Sequence, residues 1–110
     1  MAMGDPVVGE FEQLVLLALL RQGADAYGVS LCADITERTG RNISLGAVYK
    51  ALDRLEDRGW VTSRIGEPTA ERGGRRKKHF RLLAPGQRAL KHSLASLRNM
   101  TDGLEADLGL

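Results

Sequence analysis

Only two stretches of this chain read as β-strands, and what separates them is long and strongly basic. Trp60-Val61-Thr62-Ser63-Arg64-Ile65 is rich in strand formers, and His79-Phe80-Arg81-Leu82-Leu83 returns with period-two character. Gly66 to Lys78 lies between them, thirteen residues that carry Arg72, Arg75, Arg76, Lys77 and Lys78 around Gly73-Gly74. That is long for a hairpin loop, and such loops tend to be functional or mobile. The inner part can extend the strands, with Gly73-Gly74 at the turn. A lone hairpin is stable only when it packs on other elements, and everything else in the chain reads as helix.

Residues 10–22 are apolar on most faces through Phe11, Leu14, Val15, Leu17, Ala18 and Leu20, which predicts a helix buried on more than one side and stopped at Gly23. A second helix is predicted from about Tyr27 to Thr39, with Val29, Leu31, Cys32 and Ile35 on its apolar side and Gly40 as its end. Ser44 suits an N-cap, because its hydroxyl can accept a bond from a free first-turn N–H. After it, Leu45, Val48, Leu52 and Leu55 form one narrow stripe, read here as buried, and Gly59 sits where a left-handed C-terminal residue is wanted. A final helix is predicted from about Gly86 to Leu108. Its seam of Leu90, Leu94, Leu97, Thr101, Leu104 and Leu108 follows an unbroken heptad spacing.

At 110 residues the chain has the length of one domain, and 43% apolar against 27% charged residues excludes wholesale disorder. A partner subunit can add much to the stability of so small a core. The longest apolar stretch, Leu14 to Leu20, is too short for a bilayer, and Met1 to Pro6 lacks the basic-then-apolar pattern of a secretory signal. One cysteine, Cys32, fits a reducing cytoplasm and makes neither an internal disulfide nor a thiolate cluster. Together with two histidines, His79 and His92, it does not make a structural zinc site, so no metal and no cofactor are expected. The net charge of +2 hides an asymmetry: residues 1–40 sum to −4, residues 41–92 to +8 and residues 93–110 to −2. A basic middle between acidic ends suggests an anionic partner for one face; the plainer reading is a charged, solvated surface.

Three short helices, a basic hairpin and a long amphipathic helix make a winged helix-turn-helix followed by a dimerisation helix, a mainly α fold with a β-hairpin; the leucine seam can pack back on its own domain, but its length favours an intermolecular partner. The division falls at 1–83 and 84–110. The physics suits duplex DNA, whose major groove admits one helix. Small residues Gly46 and Ala47 near the start of the third helix permit close approach to base edges. Lys50 and Arg54, one turn apart, can reach phosphates or guanine edges. Ser44 lies at the same helix start, and Tyr49 reads either as a half-buried helix residue or as a hydroxyl donor to phosphate. Arg72, Gly73, Gly74, Arg75, Arg76 and Lys77 at the tip can follow the backbone or enter a minor groove. Trp60, Phe11 and Phe80 read as core, His79 and His92 as surface residues, and Cys32 as a small hydrophobe.

Read together and in order, several pieces resemble the PadR-type transcriptional regulators, of the short kind with one C-terminal helix. They are Gly9 with Leu14-Val15-Leu16-Leu17-Ala18-Leu19-Leu20, then Ala26-Tyr27-Gly28, then Ser44 to Glu56, then Gly59-Trp60-Val61, then Gly73 to Leu82. The resemblance runs from Gly9 to about Leu97 and is most specific over Ser44 to Glu56. It implies a dimeric cytoplasmic repressor that reads a two-fold operator in double-stranded DNA, with the last helix crossing the partner near its first helix. The interface would then draw on Leu14, Leu17, Leu90, Leu94, Leu97, Thr101, Leu104 and Leu108. Some members of that family release DNA when a phenolic acid or lipophilic drug binds at the dimer interface. Three features depart from the family pattern. Val29 stands near Gly28 where an aromatic often occurs. Leu83-Ala84-Pro85 stands where a threonine usually caps the last helix, and residues 84–110 contain no aromatic to sandwich a flat ligand. A small hydrophobic effector would meet leucines and Met100 instead.

Two other classes compete. A winged-helix module for protein–protein assembly does not need five bases at the hairpin tip. An enzyme needs a nucleophile, a base and an orienting group in one pocket, and neither histidine has a serine or cysteine nucleophile nearby in sequence. No catalytic residue is expected.

Overall fold

The computed structural model describes residues 8–67 and 76–110. Helix α1 runs Glu10–Gln22, and a 3₁₀ turn over Gly23–Asp25 leads to α2, Gly28–Thr39. Helix α3, Leu45–Asp57, precedes strands β1, Val61–Ile65, and β2, Lys78–Leu82; α4, Ala84–Thr101, and the short α5, Glu105–Leu108, follow. This is the winged helix-turn-helix order, and the helix bounds of α1, α2 and α3 fall within a residue of the expected ones.

Local chemistry sets these bounds. At the start of α1 the Gly9 N–H donates to Glu12 Oε1 at 3.2 Å, satisfying one free first-turn donor. At the start of α2 the Tyr27 N–H donates to Ser30 Oγ at 3.1 Å, and the Ser30 hydroxyl lies 2.6 Å from Gln22 Oε1, which ties α2 back to the end of α1. Ser44 caps α3 as expected, its Oγ accepting from the Ala47 N–H at 3.1 Å. Gly59 takes φ 77°, the left-handed geometry that lets the chain turn from α3 into β1.

The core lies where α1, α2 and α3 meet the hairpin. Val15, Leu16, Leu19, Leu31, Val48, Leu52, Leu55, Val61 and Phe80 are its largest fully buried side chains, and Trp60 is buried beside them. Leu45 departs from the expected stripe. It is 39% exposed at the first helical position of α3, and Ala51 takes a buried place instead. A stripe at spacings of three and four drifts around a 3.6-residue helix, so its first member lies at the edge of the packed face.

The strands pair antiparallel in the register Val61↔Leu82, Ser63↔Phe80 and Ile65↔Lys78. The Phe80 N–H also donates to Ala26 O at 2.8 Å, so the segment before α2 lies along β2 as a one-bridge third strand. His79, expected on the surface, is half-buried there: its Nδ1 is 3.1 Å from Asp25 O and its ring meets Tyr27 edge-on.

The last helix corrects the sequence reading at both ends. It begins at Ala84, two residues earlier than expected. No side chain caps it. Instead Pro85 occupies the first turn, where its missing N–H is no loss, and Leu83 is fixed by an N–H bond to Trp60 O at 2.8 Å. It ends at Thr101 rather than running on to Leu108. Asp102 turns extended and Gly103 takes φ 85°, and only then does α5 follow. Of the expected seam on α4, Leu90 is buried in the chain's own core and Leu94 packs against it, so only Leu97 and Thr101 remain open there, while Leu104 precedes α5 and Leu108 lies on it. No helix among the described residues is long and apolar enough to cross a membrane.

Candidate nucleic-acid interface

The face of α3 turned away from the core carries Gly46, Lys50, Asp53 and Asp57, all exposed. Ser44 is exposed at the cap, and Ala47 is half-buried. A Cβ built on Gly46 would meet nothing within 4 Å, so the start of the helix is open to an approaching surface. Lys50 makes no ion pair or hydrogen bond among the described residues.

Tyr49 takes the packing role of a half-buried helix residue. Its ring fills the space above Gly28, where a Cβ would come within 2.4 Å of Cζ, so it locks the start of α2 against α3. It is nevertheless 38% exposed.

Arg54 is less free than its sequence position suggested. Its Nε lies 3.9 Å from the buried Glu12, and Arg58 Nη1 lies 3.8 Å from the other oxygen of the same carboxylate. Arg41 bonds Glu10 at 2.6 Å, and Arg64 lies 4.0 Å from Asp25. The acidic first forty residues thus face four bases of the basic middle, and the asymmetry read along the sequence is partly cancelled in space. Sequence reasoning missed Glu12 because an acid in a first helical turn is an ordinary capping signal.

At the wing, Arg76 is exposed, while Lys77 turns back so that its Nζ sits 4.3 Å from the centre of the Tyr27 ring. Arg72, Gly73, Gly74 and Arg75 lie outside the described residues. The root of the wing is fixed to α3 through the Ser63 hydroxyl, which donates to Glu56 Oε2 at 2.6 Å.

An open groove of about 340 Å³ runs between α1 and α4, lined by Leu17, Leu20, Leu90, Leu94 and Ala95 with Gln87, Lys91 and Arg98. Leu14 and Leu17 are half-buried. Leu97 and Met100 are 53% and 76% exposed, so the apolar side of α4 continues past the groove into solvent.

Three helices and a hairpin wing, with the start of α3 open and Leu97 and Met100 of α4 exposed, make a winged helix-turn-helix. The comparison with known proteins fixes the kind: the transcriptional regulator PadR-like family matches residues 16–92, and the chain belongs to that family. Solved structures agree on the fold. A PadR family transcription regulator from Clostridium difficile superposes with a TM-score of 0.72 at 23% identity, over 91% of this chain and 99% of that one. One from Eggerthella lenta gives 0.66 at 27% identity, over 90% and 86% of the two chains. A transcriptional regulator from Clostridium thermocellum gives 0.69 at 23%, over 86% and 89%. No curated protein matches the chain.

The open start of α3 yields a test that separates fold from recognition. Gly46→Ala is expected to leave thermal stability equal or slightly raised, since alanine favours helix by up to about 1 kcal/mol. With α3 in the major groove, as its open start allows, the added methyl would crowd a base edge, and DNA affinity is then expected to fall roughly tenfold, the effect of one spoiled base contact. Melting and binding measured on one preparation check both halves; unchanged binding would remove Gly46 from the interface.

Proposed function

We propose that the chain is a cytoplasmic, non-catalytic DNA-binding repressor that acts as a homodimer. Its 1–83 part binds one half of a two-fold operator and its 84–110 part joins the two copies. The observation that carries this reading is the pairing, in one small molecule, of an accessible α3 start (Ser44, Gly46, Lys50) with the exposed apolar Leu97 and Met100 on the last turns of α4. Two recognition helices about one turn of DNA apart, near 34 Å, would read such an operator.

Release by a small hydrophobic ligand is part of the proposal. The groove between α1 and α4 adjoins the apolar side that would meet the second copy. A molecule wedged there would change the angle between the subunits, and with it the spacing of the two α3 helices. Leucines rather than aromatics line it, which suits an aliphatic ligand better than a flat one.

The experiment is fluorescence anisotropy on the DNA upstream of the protein's own gene, against a scrambled duplex, at several salt concentrations. Selective binding is expected, with log affinity falling on log salt at a slope of roughly −5 if about six phosphates are neutralised. Lys50→Ala and Arg75→Ala should each flatten that slope by about one. Equal, weak binding to both duplexes would overturn the reading in favour of a protein-interaction module.

A further inference from the structure

We infer that Glu12 is a positioning residue for DNA binding: from α1 it aims the guanidinium of Arg54 at a backbone phosphate. The inference rests on the reading that α3 faces DNA, and it assigns a task to a group that neither the core nor the cap explains.

Glu12 is 8% exposed. Burying a carboxylate is costly unless it is paired and hydrogen-bonded. One oxygen, Oε1, has an evident use: it accepts the Gly9 N–H at 3.2 Å and lies 3.8 Å from Arg58 Nη1. A glutamine oxygen would serve the Gly9 N–H as well. The second oxygen, Oε2, is buried and receives no hydrogen bond among the described residues. The cation it faces is Arg54, at 3.9 Å through Nε.

That approach matters for what Arg54 can still do. Contact through Nε engages the inner edge of the guanidinium and leaves the terminal amino groups for another acceptor. The Arg54 side chain is 57% exposed, so an acceptor can reach them. Arginine's planar fork suits bidentate donation to a phosphate. Attracted to the buried carboxylate at 3.9 Å, without a hydrogen bond, Arg54 is biased towards one side of α3 and has less rotamer freedom to lose when it binds, which is how preorganisation raises affinity. Arg54 stands one turn beyond Lys50 on α3, beside the exposed Asp53 and Asp57. The carboxylate stays in the protein, too far inside to compete for the phosphate.

The test compares wild type, Glu12→Gln, Arg54→Ala and the double variant by salt-dependent anisotropy on the duplex the wild type selects. Each single variant is expected to lower selective affinity about fivefold, with the double variant no weaker than either. Each should also flatten the salt slope by about 0.9, one phosphate contact, and together by no more. A carboxylate that served only the fold would not move the slope. A Glu12→Gln slope equal to wild type, or an Arg54→Ala slope equal to wild type, overturns the inference while leaving DNA binding intact. Failure of the wild type to distinguish its duplex from a scrambled one overturns the DNA reading and this inference with it. A second measurement does not depend on any variant folding: side-chain Nε–H relaxation by NMR in the DNA-free wild type. Arg54 is expected to be ordered beside exposed Arg21; equal mobility of the two overturns the inference.

Discussion

Gly86→Ala is expected to destabilise the fold by about 3 kcal/mol, and to lower the melting temperature by roughly 10–20 °C at fixed protein concentration. A Cβ at this position would stand 2.6 Å from the Trp60 carbonyl oxygen, 2.8 Å from Trp60 Cβ and 2.9 Å from Leu82 Cδ1. The first of these is backbone, so no rotamer change can relieve it. The same carbonyl accepts the Leu83 N–H at 2.8 Å, the bond that sets the start of α4. Moving α4 outward to admit the methyl would break that bond and draw Leu90, 2% exposed, away from the core. Alanine's better helix propensity, at most about 1 kcal/mol, offsets only part of this. Gly46→Ala is the matched control, because it adds the same methyl on a helix into open space. Circular dichroism melts of the two variants decide the matter: a Gly86→Ala melt within a few degrees of wild type would mean that α4 seats on Trp60 more loosely than these distances require.

Gly86 also shows what the sequence concealed. Its role depends on Trp60, twenty-six positions away, and nothing in the residues around it records that approach. Features encoded locally were readable. The Ser44 cap, the Gly40 and Gly59 stops and the apolar run of α1 each act through neighbours within one or two turns, and the helix bounds followed from them. The two strands were readable for the same reason: β1 starts one residue later than expected and ends at Ile65 as expected, and β2 is shifted by one residue. Errors arose where a local rule met a competing signal. The heptad count carried the last helix through Asp102-Gly103 to Leu108, although such a dipeptide is itself a turn signal. Thr101 satisfied the seam while its N-terminal neighbours were already exposed, so no packing energy held the helix beyond it. His79 was placed on the surface because an isolated histidine in a basic stretch gives no hint of the Asp25 carbonyl it meets. In the candidate site, Gly46 and Lys50 could be read from helical spacing. The restraint on Arg54 could not, because it comes from a residue forty-two positions earlier on another helix.

The apolar side of α4 carries the other large expectation. Leu97→Asp is expected to leave the isolated fold nearly unchanged and to abolish the dimer. Leu97 is 53% exposed in the single chain, and substitutions at such positions usually change stability by less than about 0.5 kcal/mol. In a two-fold dimer the same patch meets its own copy, so each substitution appears twice. Two carboxylates would then be placed in an apolar seam without partners, at a cost of several kcal/mol. The consequence for DNA follows from linkage. In the proposed homodimer, once one subunit has bound its half-site the other would bind at the high effective concentration set by the dimer. Losing that connection is expected to lower operator affinity by about 10²–10⁴-fold while half-site affinity stays the same. Sedimentation equilibrium reads the first effect, and anisotropy on full and half operators reads the second. Leu94 is a poorer choice for this purpose because it is half-buried against its own core, and its replacement would confuse folding with assembly. A Leu97→Asp protein that sediments as a dimer and keeps wild-type operator affinity would show that the two copies join elsewhere, and that the exposed leucines of α4 serve some other surface.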